Sequence, residues 1–264
     1  MPIKLAVHGA AGRMGQRVVA CAAADQGFQI VAAHESVDHP QLGQDAGTIA
    51  GAGELGLQLS AVTDSDAEVV IDFSVPNASI TIVEHCVKQG TPLVIATTGF
   101  SDQQINTIHQ AAETIPVVFA PSMSPAVNLV MKLTEIAGGA LKDLPTGVDV
   151  EIIERHHRFK EDAPSGTALK FGEIVANAMD KPDVTHGREG RPGQRSAGEI
   201  GYHAVRTGDN PGEHTIIFGM LGETIELNVA ASNRDCYAQG ALMAAKWVLN
   251  KPAGLYGMAE VLGF

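Results

Sequence analysis

The sequence predicts an α/β protein with two domains: an N-terminal doubly wound parallel sheet and a C-terminal α+β domain with a mixed or antiparallel sheet. Three observations lead to this prediction. A short apolar run near the start of the chain is followed by a glycine-rich turn and a helical pattern. Strand-like and helical segments then alternate over the first 120 residues, as expected for a parallel sheet. Beyond residue 198, three strand-like segments follow one another at hairpin-like spacing, which indicates a different kind of sheet.

Composition and charge narrow the classes of protein. The 264 residues are 45% hydrophobic and 18% charged, which is typical of a globular protein with a sizeable core. The net charge of −12 argues against nucleic acid or an anionic membrane as the main partner. Three cysteines without CxxC spacing indicate reduced thiols, and neither a disulfide framework nor a zinc site. No apolar stretch approaches the roughly 18 residues of a membrane span, and no signal-peptide layout is present, so we expect a cytoplasmic protein.

The first predicted strand, Ile3 to His8, leads into the glycine-rich turn GAAGRMG. Strand, glycine-rich turn and helix in this order are the context of a Rossmann-type dinucleotide site. Gly9 permits the tight turn, Gly12 lets the backbone approach a pyrophosphate, and Gly15 allows the helix to pack closely on the strand. The GxxGxxG spacing is less common than GxGxxG, and a glycine-rich turn without a ligand is the alternative interpretation.

An acidic residue follows the second predicted strand, Phe28 to His34. This residue, Glu35, lies roughly twenty positions beyond the glycines, where a carboxylate accepts hydrogen bonds from the adenosine ribose, and it therefore favours NADH. The next residue is Ser36, and not an arginine that would bind the 2′-phosphate of NADPH. NADPH remains open because nearby cationic side chains could compensate the phosphate charge, and Glu35 could also be a solvated strand end.

Alternating elements continue to about residue 141. Residues 36–66 are rich in Gly, Ala and Asp, and we expect an irregular surface excursion there. Further strands are predicted over 68–73, 92–96 and 116–120, and helices over 77–89, after Ser101 with Gln104 as its capping-box partner, and over 126–141. Ligands of doubly wound sheets lie at the carboxyl ends of strands, so the turns at 97–100 and 120–124 are candidate walls for a nicotinamide, or else ordinary connections.

The segment 148–167, VDVEIIERHHRFKEDAPSGT, carries the candidate chemistry. A predicted strand ends at two adjacent histidines, of which His156 could donate a proton, and the cationic Lys160 follows four residues later. A helix is predicted to begin at Pro164, which would place the backbone amides of Gly166 and Thr167 at a helix N-terminus, where anions bind. These groups indicate a site for an anionic substrate; a polar exit from a sheet is the alternative.

The remaining segments define the second domain. The helix from Pro164 is predicted to end near Met179 and is followed by an arginine-rich loop over 185–198, either a lid over an anionic substrate or a solvated loop. Strands are predicted over 200–207, 214–219 and 224–229, and a long helix over 235–249, followed by a short tail. We therefore expect a dinucleotide-binding domain of residues 1–125 with 236–264, and a substrate-binding and oligomerisation domain of residues 126–235.

Several of these motifs together resemble a known enzyme family. They are GAAGRMG, TTGF at 97–100, ERHHRFKEDAPSGTA at 154–168, VRTGD at 205–209, GEHT at 212–215 and LYGMAEVL at 255–262. In these residues, and along essentially the whole chain, the sequence is similar to 4-hydroxy-tetrahydrodipicolinate reductase, also called dihydrodipicolinate reductase. The segment HHxxKxDAPSGTA is highly specific for that family. Two positions depart from the pattern of some relatives: Ser36, where they carry arginine, and Asn228, where they carry histidine.

The resemblance implies reduction of a cyclic dicarboxylate imine with NADH or NADPH, in lysine and diaminopimelate biosynthesis, by a cytoplasmic homotetramer. It implies that His156 is the general acid and Lys160 the cation that holds and polarises the substrate. It further implies that His157, Gly166 and Thr167 bind the substrate carboxylates. The cofactor contacts that it implies are Gly9, Ala10, Gly12, Arg13, Met14, Glu35, Thr97, Thr98, Gly99, Ala120, Pro121, Ser122 and Met123.

Three other functions would account for part of the sequence. A dehydrogenase acting on another amino-acid precursor, such as a semialdehyde, would share the glycine motif but has no reason to carry HHRFKEDAPSGT. A non-catalytic dinucleotide sensor would keep the glycine turn and Glu35 and would tolerate loss of His156 and Lys160. A serine hydrolase using Ser165 and His156 is disfavoured because no GxSxG elbow is present.

Overall fold

The computed structural model describes all 264 residues and divides into two compact units, Met1–Pro125 with Arg234–Phe264, and Ala126–Asn233. The strands are β1 Ile3–His8, β2 Phe28–His34, β3 Leu59–Ser60, β4 Val69–Asp72, β5 Leu93–Ile95, β6 Pro116–Phe119, β7 Asp149–His156, β8 Asp183–His186, β9 Glu199–Arg206, β10 Glu213–Met220, β11 Glu223–Ala230 and β12 Gly254–Tyr256. The helices are α1 Gly15–Ala24, α2 Ala46–Ile49, α3 Pro76–Gln89, α4 Asp102–Ala112, α5 Pro125–Leu141, α6 Gly166–Met179, α7 Asp235–Val248 and α8 Met258–Leu262. None of the helices is both long and apolar enough to span a membrane.

The first unit is built on a seven-stranded sheet in the order β12-β6-β5-β4-β1-β2-β3, with every neighbouring pair parallel. The predicted doubly wound parallel sheet is confirmed. Its strands are short apolar runs because both faces are covered, as in β1, where Leu5 and Val7 are fully buried. The strand order changes direction between β1 and β4: β2 and β3 lie on one side of β1, and β4, β5 and β6 lie on the other. At such a topological switch point, the carboxyl ends of the two strands form the expected ligand crevice.

Helices cover both faces of this sheet. Val18 of α1 and Ala241 of α7 share one buried cluster with the sheet, so α7 packs on the sheet of the first unit. Ile82 of α3 and Ile108 of α4 belong to a second cluster on the opposite face. The predicted capping box of α4 is present, with Ser101 as the N-cap.

Two expectations about this unit were incomplete. The excursion over 36–66 contains α2 and β3, organised by the Asp45 carboxylate, which accepts backbone hydrogen bonds from Thr48, Leu55 and Leu57. The predicted tail contains β12, which extends the sheet beside β6, and α8. Strands of two or three residues are too short to produce a recognisable period, so only tertiary pairing defines them.

The second unit is a mixed five-stranded sheet in the order β11-β10-β7-β9-β8. β10 is antiparallel to both β7 and β11, whereas β9 is parallel to β7 and β8. One face packs against α5 and α6 through a core that includes Ile152, Phe171 and Phe218. The opposite face carries Ile153 and Val205, both partly exposed. The predicted loop over 185–198 begins two residues too early, because residues 183–186 form the edge strand β8.

Candidate active site

The turn between β1 and α1 depends on glycine at two positions. Gly9 has φ of +75°, and a Cβ there would lie 2.7 Å from the carbonyl oxygen of Phe73. A Cβ on Gly15 would overlap the carbonyl oxygen of Gly9 and lie 2.7 Å from Cα of Ala10. The amide of Gly12 donates to the Gly9 carbonyl at 3.0 Å, which closes the turn. These contacts hold α1 close against β1, as the glycine spacing predicts.

The Glu35 carboxylate lies beside this turn. It accepts hydrogen bonds from the amides of Ala11 at 3.1 Å and Ser36 at 3.0 Å. These bonds bring the end of β2 next to the glycine turn, which is where a ribose-binding acid is expected in a dinucleotide site.

A cavity of about 980 Å³ opens at the carboxyl ends of these strands, which is large enough for a nucleotide. Seven of the expected cofactor residues line it: Gly9, Gly12, Arg13, Met14, Glu35, Thr97 and Thr98. Ser36 lines it too. Bare glycine backbone, the start of a helix and a carboxylate suit a dinucleotide, so the residues present fit this cofactor.

The other six expected cofactor residues are not part of that cavity lining. Ala10, Ala120 and Met123 are buried in the apolar core, and Ser122 is also buried. Pro121 is exposed, and Gly99 is exposed with φ of +85°.

A polar cluster around the buried Asp72 forms part of the cavity wall and was not predicted from the sequence. The Asp72 carboxylate, at the end of β4, is bonded by His8 Nδ1 at 2.8 Å, by the Thr97 hydroxyl at 2.8 Å and by the hydroxyls of Ser74 and Ser79. Burial would raise the pKa of Asp72, but these hydrogen bonds outweigh it and hold the pKa below its usual value. The cluster ties together the ends of β1, β4 and β5. The sequence signal for this cluster was a polar residue at or just after the end of each of the three strands.

The second unit holds the groups of the central segment. Because side chains alternate along β7, Glu154 and His156 point to the same buried face as the core residue Ile152. His156 Nδ1 lies 2.6 Å from Glu154 Oε2, and an ionised carboxylate only accepts, so Nδ1 carries a proton. Arg206 of β9 bonds both carboxylate oxygens, at 2.8 and 2.7 Å, and the Ser165 amide donates to Oε1 at 3.1 Å.

Burial in this part of the second unit lowers the pKa values of two histidines, His156 and His214. Burial lowers the pKa of His156, and the hydrogen bond to Glu154 only partly counteracts it. Burial would raise the pKa of Glu154, but the bonds from Arg206 and His156 bring it below its usual value. Burial also lowers the pKa of His214, whose ring centroid lies 5.2 Å from that of His156, to about 4. His214 is therefore neutral near pH 7.

The other predicted substrate-binding groups lie in the same segment of the chain as Glu154 and His156. Lys160 Nζ donates to Asp162 Oδ1 at 2.8 Å, and its charge contributes to lowering the pKa of His156. His157 Nδ1 is buried without a hydrogen-bond partner in the protein. Helix α6 begins at Gly166, not at Pro164, and Gly166 and Thr167 supply its first amides. The predicted helix start at Pro164 was wrong because Ser165 is the N-cap: its hydroxyl accepts a hydrogen bond from the Ala168 amide at 3.2 Å.

The arginine-rich loop, for which a lid and a solvated loop were both open, has Arg188 and Arg195 paired with acids of the sheet. Arg188 donates to Glu151 at 2.7 Å and also bonds Glu199. Arg195 pairs with Asp149. Asp149 and Glu151 lie on β7, 46 and 37 residues from their arginine partners, so only the folded sheet shows that both guanidinium groups are already paired.

A parallel sheet with a dinucleotide-sized cavity, together with a buried histidine–carboxylate pair beside a helix N-terminus, is typical of a dinucleotide-dependent oxidoreductase. Family models match both parts of the chain: "Dihydrodipicolinate reductase, N-terminus" over residues 3–123 and "Dihydrodipicolinate reductase, C-terminus" over residues 126–262. The chain belongs to the dihydrodipicolinate reductase family, NAD(P)H-dependent oxidoreductases of lysine and diaminopimelate biosynthesis.

Curated relatives agree over the full length. The 4-hydroxy-tetrahydrodipicolinate reductase of Rhodopirellula baltica is 60% identical over 99% of this chain and 96% of its own. That of Thiobacillus denitrificans is 45% identical over 100% of this chain and 99% of its own.

Solved structures share the architecture. A dipicolinate-bound dihydrodipicolinate reductase from Paenisporosarcina sp. TG-14 superposes with a TM-score of 0.78 and 26% identity, covering 98% of this chain and 99% of that chain. Aspartate semialdehyde dehydrogenase II from Vibrio cholerae has a TM-score of 0.58 at 10% identity, over 95% of this chain and 99% of that one. The latter similarity extends to the fold alone.

Proposed function

We propose that the chain reduces 4-hydroxy-tetrahydrodipicolinate to tetrahydrodipicolinate with NADH or NADPH, and that His156 supplies the proton. The observation that carries this proposal is the buried His156–Glu154 pair, joined through the Ser165 amide to the N-terminus of α6. Membership of the family supports the reaction, and the dipicolinate bound to the solved relative supports a dicarboxylate substrate.

When bound, the cofactor supplies the hydride. The turn after β1 would receive the pyrophosphate on its backbone amides, Glu35 would accept bonds from the ribose, and segments 97–99 and 120–123 would lie along the nicotinamide. In the second unit, Lys160, His157 and the first amides of α6 would hold the two carboxylates. His156, with Nδ1 bound to Glu154, has Nε2 left to donate a proton to the reduced ring.

The decisive experiment follows absorbance at 340 nm with NADH and then NADPH, using substrate made in situ by a coupled synthase. Substrate-dependent oxidation supports the reductase. Tight dinucleotide binding without oxidation would favour a non-catalytic sensor. Oxidation with a semialdehyde alone would favour the other dehydrogenase. The serine hydrolase alternative has the least support. The Ser165 hydroxyl is the N-cap of α6, and its histidine neighbour is His214, at 3.0 Å, and not His156.

We expect NADH to be preferred, since Glu35 would repel a 2′-phosphate and Ser36 carries no charge. Ser36→Arg should raise kcat/KM for NADPH relative to NADH by about tenfold, because a charge-assisted bond to phosphate contributes about 1.5–3 kcal/mol. The control is Gln103→Arg, which adds the same charge on α4, outside the cavity. An unchanged ratio of kcat/KM for the two cofactors in Ser36→Arg would contradict this placement of the adenosine ribose.

Lys160→Ala should raise KM for the substrate and lower kcat, each by about tenfold, because the variant loses the cation facing the dicarboxylate. Kd for NADH should not change. Lys170→Ala is the matched control, since Lys170 is paired on the exposed side of α6 with Glu173. Steady-state kinetics for both variants, with NADH titrations, separate the two outcomes; normal KM and kcat in Lys160→Ala would remove Lys160 from the site.

We propose further that the protein is a cytoplasmic homotetramer, assembled through the open face of the second sheet. That face exposes Ile153 and Val205, and Asn228 lies there bonded to the Thr215 hydroxyl at 2.7 Å. Light scattering should give four times the 27.6 kDa chain mass, and Ile153→Glu should lower it. Full-sized assembly in Ile153→Glu would exclude this face from the interface.

A further inference from the structure

Glu154 is held by three parts of the second unit. It stands on the same strand as His156, receives both guanidinium nitrogens of Arg206 from the neighbouring strand β9, and accepts the Ser165 amide from the start of α6. Arg206 also donates to the carbonyl of Asp162, in the segment that leads to Ser165. Glu154 is 1% exposed, so water does not compete for these bonds.

The geometry points to Glu154 as the positioning residue of the proton donor: its carboxylate fixes the His156 ring with Nδ1 bound and Nε2 free, while Arg206 holds that carboxylate in place. This inference rests on the proposed reductase function and deepens it. Glu154 touches no reacting atom in this scheme and acts through His156. A histidine whose second nitrogen is bound by a carboxylate keeps one tautomer and one ring orientation.

The charges around His156 make this role measurable. Burial is the strongest influence against the protonated imidazole, Glu154 favours that form, and Lys160 and Arg206 oppose it more weakly. His214, the group facing His156 from β10, is neutral near pH 7 because burial lowers its pKa to about 4. Glu154 is therefore the negative charge that sustains proton donation, and Arg206 moderates it.

The same carboxylate joins the proton donor to the anion-binding helix end. The Ser165 amide bonds Glu154, and the next two residues, Gly166 and Thr167, begin α6. Loss of the carboxylate should therefore disturb both the proton donor and substrate affinity. A residue that served only to stabilise the fold would lower activity by one factor at every pH.

The test measures kcat and kcat/KM from pH 5 to 10 in wild type, Glu154→Gln, Glu154→Asp and Arg206→Met, with Glu173→Gln as the exposed control on α6. In Glu154→Gln, the limb on which activity falls with rising pH should move to lower pH by about one unit, kcat should fall about tenfold or more, and KM should rise. In Arg206→Met the limb should move to higher pH. Glu154→Asp keeps the charge and should retain the wild-type limb.

Uniform loss of kcat with an unmoved limb in both Glu154→Gln and Arg206→Met would overturn the inference. Thermal melting and NADH binding report whether each variant folds. If one single variant fails to fold, the other decides: the kcat limb should move to lower pH in Glu154→Gln and to higher pH in Arg206→Met. An unmoved limb in the variant that folds would overturn the role.

Failure of the proposed function is separately visible. The His156 titration can be followed by NMR of its Cε1–H group without turnover, the signal being the one that His156→Gln lacks. A midpoint that falls in Glu154→Gln supports the pairing even when wild type oxidises no cofactor with this substrate, in which case the reductase assignment alone fails. An unmoved midpoint overturns the inference itself.

Discussion

Replacement of His156 by glutamine should lower kcat by about a hundredfold or more, because a positioned general acid, the role proposed for His156, contributes about 10²–10⁴-fold. Glutamine can occupy the site and keep a polar contact with Glu154, but it has no titratable proton to give. Kd for NADH stays near the wild-type value, since the expected cofactor contacts belong to the first unit. Stopped-flow kinetics with saturating cofactor and substrate measure the effect on the chemical step.

The dependence of kcat on pH gives a second test of His156. The protonated form of His156, which the proposed role requires, is lost as pH rises through its pKa, which burial places below the usual value for histidine. Wild-type kcat should therefore fall with rising pH, and His156→Gln should lose this limb. His186→Gln, an exposed histidine on β8, is the matched control and should behave as wild type. Normal turnover in His156→Gln would remove His156 from the role of acid.

Gly15→Ala should destabilise the first unit by about 3 kcal/mol or more and abolish measurable NADH binding. A Cβ at this position overlaps the carbonyl of Gly9, a backbone atom that cannot rotate away, and overpacking without relief costs about 1–3 kcal/mol even among side chains. Relief requires α1 to move off β1, which opens the turn that would receive the pyrophosphate. Denaturant unfolding and NADH fluorescence titration measure the two effects.

The matched control is Gly139→Ala on α5, where a Cβ would meet no atom within 4 Å. Alanine is the better helix former, so this variant should be as stable as wild type or more stable by up to about 1 kcal/mol. Wild-type affinity for NADH in Gly15→Ala would show that the tight β1–α1 packing is unnecessary for the cofactor.

Elements whose signal is local could be predicted from the sequence. The β1–turn–α1 unit, the capping box at Ser101 and the alternation along β7 each follow from residues a few positions apart, and all are present. The error at Pro164 is also local: two adjacent residues both suited a helix start, and the Ser165 hydroxyl, which satisfies a free amide, took the N-cap.

The sequence by itself determined the parallel sheet, the dinucleotide turn and the identity of the groups in segment 148–167, because periodicity and glycine geometry act over short distances. Tertiary structure alone decided what surrounds His156. Arg206 is 52 residues from Glu154, and His214 is 49 residues from Ser165, so no local pattern connects them. Strand pairing brings β7, β9 and β10 side by side, and burial of the shared face then sets the charge and orientation of His156.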